Sequence, residues 1–141
     1  MDKDEIEIEK NIQTNKQYLE QFEKHLQSQN LSNKTIKNHI MNVEFYINDY
    51  LNYYEPQNIQ AGITSISGYL SDWFIRKAMW SSVASIKANA ASIKKFYKYM
   101  SETGIVSTLD YDFLCAIIKS DLPEWLENLK EYDAGFDDEY F

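Results

Sequence analysis

Ser81-Ser-Val-Ala-Ser-Ile-Lys-Ala-Asn-Ala-Ala-Ser-Ile-Lys-Lys-Phe-Tyr-Lys-Tyr-Met100 decides how the rest of the chain is read. At about 100° per residue, Val83, Ile86, Ala90, Ile93, Tyr97 and Met100 fall on one face of a helix. Lys87, Lys94 and Lys98 form a stripe beside that face, within roughly 40° of one another. Ser81 or Ser82 can cap the start, and Gly104 stops the run. One helix therefore offers a face for packing and a cationic edge that is either solvated or set against an anion.

The same period recurs on both sides. Tyr18, Phe22 and Leu26 mark a first helix over 15–29. Ser32 caps a second, with Leu31 placed to staple onto Ile36, and Ile36, Ile40, Val43, Ile47 and Leu51 trace its buried stripe. Residues 52–62 read as a loop around Glu55-Pro56-Gln57-Asn58. Thr64 or Ser65 caps a third helix carrying Ile66, Tyr69, Leu70, Trp73 and Phe74, with Arg76 and Lys77 at its negative end. Beyond Gly104 a weaker helix is predicted over 109–119. Asp121-Leu122-Pro123-Glu124 then reads as a fresh N-terminus ahead of Trp125, Leu126 and Leu129.

These patterns give an all-α fold. A chain of 141 residues with 44% hydrophobic residues is long enough for one buried core, and four Gly with two Pro leave little for hairpins. The expected organisation is a flexible acidic arm over 1–14, a helical domain over 15–104, and an acidic helical extension over 105–141 ending in a mobile tail from Asp133. The net charge of −8 is uneven: residues 1–31 carry −3, 32–104 carry +3 and 105–141 carry −8. A basic middle between acidic flanks weakens the case that so acidic a chain avoids nucleic acid. No signal peptide and no membrane-length apolar run is seen, so a cytoplasmic chain with no membrane partner is expected.

Catalytic constellations are not found. His25 and His39 stand in different helices without metal-ligand spacing, and each reads as a surface or boundary residue. Cys115, among Phe113, Leu114, Ile117 and Ile118, reads as a small core residue. Asp110 and Asp112 suit a helix start better than acid–base work. Tyr46, Tyr50, Tyr53 and Tyr54 read as core rim or partner contact. No Gly-rich phosphate loop is present and no cofactor is expected.

Taken together, Phe22-x-x-x-Leu26, Asn30-Leu31-Ser32-x-x-Thr35-Ile36-x-x-His39 and Val43-x-Phe45-Tyr46 resemble the opening of the N-terminal, SAM-like core-binding domain of tyrosine recombinases and phage integrases. Ile66-x-x-Tyr69-Leu70-x-x-Trp73 is similar to its third helix. Ser85-Ile86-x-x-Asn89-x-x-Ser92-Ile93-Lys94-Lys95-Phe96-Tyr97-x-Tyr99-Met100 is similar to its fourth. The resemblance spans roughly residues 15–104 and implies a four-helix bundle that clamps one side of double-stranded DNA through its second and fourth helices. By position it assigns DNA contacts to Lys34, Thr35, Asn38, Lys87, Asn89, Lys94 and Lys98, residue types that hold phosphate oxygens. Catalysis in that family uses two arginines and a nucleophilic tyrosine in a separate domain; this sequence has Arg76 alone, so no cleavage activity is expected. The alternative is a repurposed domain that binds a protein partner, or a second copy of itself, through residues 105–141.

Overall fold

A computed structural model describes the backbone of residues 2–140 and the side chains of residues 2–135. Five helices build it, with no strand among the described residues. Helix α1 is Lys3–Ser28. Helix α2 is Asn33–Glu44, continued by a π-helical turn over Phe45–Tyr50. Helix α3 is Gly62–Gly68, widened over Tyr69–Trp73 and finished by Phe74–Lys77. Helix α4 is Val83–Glu102 and α5 is Thr108–Tyr140.

The helix ends follow their sequence signals. The Ser32 hydroxyl accepts from Thr35 N–H at 3.2 Å and starts α2. Ser82 and Ser85 exchange backbone-to-side-chain bonds of 3.0 and 2.8 Å at the start of α4. Gly104, at φ 80°, closes α4: its N–H bonds Ser101 C=O at 3.2 Å and Ile105 N–H bonds Met100 C=O at 2.9 Å. Helix α3 starts earlier than expected, since Ala61, not Thr64 or Ser65, precedes its first turn.

The expected flexible arm over 1–14 is instead, from Lys3 on, the first half of α1. It docks through amides, not apolar side chains. Asn11 Nδ2 donates to Asn52 Oδ1 at 3.1 Å and Gln57 C=O at 3.2 Å, and Asn15 Nδ2 donates to Asn48 Oδ1 at 2.9 Å and Ile47 C=O at 3.2 Å. Asn11, Asn15, Leu19, Phe22 and Leu26 are the buried residues of α1, one continuous face. Ile6 and Ile12 point to solvent.

Residues 105–141 do not form a separate extension. Val106, Leu114, Trp125 and Leu129 are buried in the same core as Phe22, Ile47, Leu70 and Phe96. Helix α5 also runs unbroken through Pro123, where a new N-terminus was expected. A proline inside a helix forfeits a backbone bond and costs about 3 kcal/mol. The anchors that hold α5 straddle the site: Ser67 Oγ donates to Asp121 Oδ2 at 3.0 Å and Asn128 Nδ2 donates to Ser71 C=O at 3.0 Å. Asp121 is thus a clamp to α3, not a cap. The helix continues over the stretch expected as a mobile tail; side chains from Phe136 on, and Phe141, lie outside the described residues.

The two π-helical turns face each other across the core. Widening each helix lets rings that a regular spacing would splay point the same way. Tyr46–Tyr69 centroids lie 4.8 Å apart, Tyr50–Tyr69 5.0 Å and Phe45–Trp73 5.4 Å. Two buried phenols also pin the α2–α3 loop: Tyr46 donates to Gly62 C=O and Tyr97 to Ile59 C=O, both at 2.6 Å.

Candidate nucleic-acid interface

Helices α2 and α4 lie side by side and antiparallel. His39 meets Ser92 near the middle, while Phe45, further along α2, packs on Trp80 just before α4 begins. Ser92 Oγ accepts from Asn42 Nδ2 at 3.1 Å and lies 2.8 Å from His39 Nδ1. The Ser92 hydroxyl accepts from Asn42 and still has a proton and a second lone pair to offer Nδ1, so either neutral tautomer of His39 can make the bond. Burial first, and then the charge of Lys95, hold the His39 pKa below the ordinary histidine value. A neutral ring fits both.

Ser92 marks the flank of α4 that meets α2. Lys95 stands on that flank, and Lys34 and Asn38 are exposed on the outer surface of α2. Thr35 is half-buried, its hydroxyl taken up by Ser32 Oγ at 2.9 Å. Ala84, Ala88 and Ala91 are exposed on the outer face of α4, where methyl groups let a broad ligand approach the helix closely.

The seven assigned residues do not share one face. Lys87, Lys94 and Lys98 are exposed, but turned about 120–160° round α4 from Ser92. Lys98 stands on the ridge between flanks. Lys87 lies one turn after Val83, which was expected in the buried face but is exposed and lines a cleft with Leu126, Glu127 and Asp133 of α5. By helical position Lys87 and Lys94 fall on the Val83 side of α4, away from Ser92. Asn89 is no contact residue: it is 2% exposed, its Nδ2 donates to Ser85 C=O at 2.9 Å, and it accepts from Tyr69 Oη at 3.4 Å. On a helix with two polar flanks, spacing alone could not tell an inward amide from an outward one.

Lys95 carried no assignment in the sequence, although Lys94-Lys95 spans both flanks at about 100° per residue and one of the pair had to face α2. The signal that gathers the site is the absence of carboxylates. Residues 33–43 of α2 and 83–101 of α4 hold Lys34, Lys37, Lys87, Lys94, Lys95 and Lys98, and none of the chain's 22 Asp and Glu. Among the described residues the one ion pair within 4.0 Å is Arg76–Asp72, and none of these six lysines has a carboxylate partner there.

Among the described residues no three His, Cys, Asp or Glu side chains gather as a metal site, and no helix is long and apolar enough to cross a membrane. Within residues 105–141, the alternative partner surface, Leu114, Trp125 and Leu129 are buried in the chain's own core, while Phe113 is exposed. No protein-family model, no curated protein and no solved structure matches this chain.

Proposed function

We propose that the chain is a non-catalytic DNA-binding module that lays the α2–α4 face against the phosphates of a duplex, in the manner of the DNA-clamping half of tyrosine recombinases. The observation that carries this reading is the segregation of charge: six lysines, none with a carboxylate within 4.0 Å among the described residues, on two adjacent helices that hold no carboxylate over 33–43 and 83–101, in a chain of net charge −8. Lys34, Lys95 and Lys98, with Asn38, line the contact, and the exposed alanines of α4 let it close. Such contacts position a protein without reading sequence, and their affinity comes from counterion release.

The test is a salt titration on a random duplex. Each lysine lost from the contact should flatten the slope of log K against log salt by about 0.9. Replacing Lys34, Lys95 and Lys98 by Gln should remove most binding, whereas replacing Lys87 and Lys94 should cost less. Absence of binding at low ionic strength would sink the reading.

One observation favours a protein partner instead: the acidic helix, which shares a cleft with Val83 one turn before Lys87, is part of the core and not a removable tail. Neutralising Glu127 and Asp133 separates the two. Tighter DNA binding by that variant supports the duplex reading, and no change supports the interaction domain.

A further inference from the structure

At the far end of the same helix pair from Lys34, the end of α2, the α3–α4 linker and the start of α4 enclose an open groove of about 300 Å³. Its walls are Met41, Phe45, Phe74 and Trp80, and Glu44 and Asp49 stand on its rim. The rings form a continuous floor: Phe45–Trp80 centroids are 5.7 Å apart, and Phe74 lies 6.3 Å from each. Three large side chains here face water without need. Met79 is 100% exposed, Trp80 60% and Met41 57%. A lone exposed residue is ordinary; three beside one aromatic groove mark a docking surface.

Charge selects the occupant. Neither Glu44 nor Asp49 has a cation within 4.0 Å among the described residues. Burial alone raises the Asp49 pKa, with no neighbouring positive charge to offset it. Phosphate is repelled by two carboxylates, so this is not a continuation of the lysine face. A flat guanidinium or an ammonium gains twice, from the ring faces and from the carboxylates.

We propose that this groove binds an arginine- or lysine-bearing apolar segment of a partner protein, the cation stacking on Phe45 and Trp80 and pairing with Glu44 and Asp49. The proposal does not rest on the DNA reading: the groove is also lined by Asn42 and Asn89, and it extends from the middle of the helix pair away from Lys34.

The test titrates the full chain with an octapeptide alternating leucine and arginine, and with its counterpart carrying glutamine at every arginine. Trp80 reports occupancy through its emission, because Trp73 and Trp125 are buried. The arginine peptide should bind at least about tenfold more tightly, a difference of about 1.4 kcal/mol. Glu44→Gln with Asp49→Asn should abolish that preference, and Trp80→Ala should weaken both peptides, with helicity by circular dichroism unchanged in each. Equal binding of the two peptides overturns the proposal, as does arginine preference that survives the carboxylate replacements. A short duplex that shifts the Trp80 signal more strongly than the arginine peptide assigns the groove to nucleic acid. A concentration-dependent dimer lost in Trp80→Ala assigns it to a second copy. Either result refutes it.

Discussion

Replacing Trp125 by Ala decides whether the acidic third of the chain is part of the fold. Trp125 is 1% exposed, in the core alongside Leu114 and Leu129 from the same helix. Truncating a fully buried tryptophan costs about 3–5 kcal/mol, because the lost burial and the cavity add. At about 2.1 cal/mol/K per residue, a chain of 141 residues unfolds with an entropy near 0.3 kcal/mol/K. The expected fall in melting temperature is therefore about 10–17 °C, out of a total stability of about 5–15 kcal/mol. Leu109→Ala is the control: the same helix, 79% exposed, and an expected change within about 0.5 kcal/mol. Urea melts of the two variants, with far-ultraviolet circular dichroism as readout, measure the difference. A Trp125→Ala cost below about 1 kcal/mol would falsify the integration of α5. If the cost is as large as expected, cutting the chain after Gly104 cannot test whether its acids mask the lysines, because the cut chain loses core and acids together. Neutralising exposed carboxylates in place is the clean experiment.

Gly62 to Ala should also destabilise, for a different reason. A Cβ there collides with the Tyr97 hydroxyl, whose 2.6 Å bond holds the Ile59 carbonyl. Overpacking of about 1–3 kcal/mol plus a lost hydrogen bond of about 1 kcal/mol is expected, and adding Tyr97→Phe should cost less than the two changes summed. Strict additivity in a denaturation cycle would show the clash to be relieved elsewhere. His39 predicts a pH effect. Its folded pKa lies below the unfolded value, so as pH falls from 7 through 6.5 the unfolded chain takes up the proton first and stability is lost. Thermal midpoints at neutral and mildly acid pH should drop further in the wild type than in His39→Asn, and an identical drop in both would exclude histidine as a source.

How much of this was readable in advance depends on which force holds each element. Helices α2 and α4 declare themselves because apolar side chains at helical spacing and serine caps agree. The first half of α1 does not, since its docking groups are Asn11 and Asn15, residues that hydropathy counts as surface. Only their three- and four-residue spacing to Leu19, Phe22 and Leu26 betrays the shared face. Pro123 misled for a related reason: proline and Asp-x-x-Glu signal a helix start locally, whereas Ser67, Ser71 and the buried Trp125 hold the helix through it from a distance. The π-turns left no sequence signal beyond an excess of rings. In the candidate site, exposure of Lys34, Asn38, Lys87, Lys94 and Lys98 followed from the wheel, but which flank met which neighbour did not. That depended on Ser92, a small polar residue whose partners lie on another helix.

The net charge is a poor guide to what this surface attracts. At an ionic strength of 0.15 M, charges separated by more than about 8 Å in solvent are largely screened. A ligand resting on the outer surface of α2 and α4 meets Lys34, Lys95 and Lys98; along those helices the nearest acids are Glu102, one turn beyond Lys98, and Glu44, ahead of the π-helical turn that continues α2. Apart from Glu102, the acids therefore act on long-range approach more than on the contact. Lowering salt would strengthen the lysine–phosphate attraction and the repulsion from the acidic elements together. A duplex should then associate slowly for the affinity it reaches. Neutralising Glu127 and Asp133 should raise the association rate more than it slows dissociation, because those acids border the contact without lying in it. Stopped-flow mixing resolves the two rates. A gain confined to dissociation would place α5 inside the contact, and the boundary drawn between the lysine flanks of α4 would then be wrong.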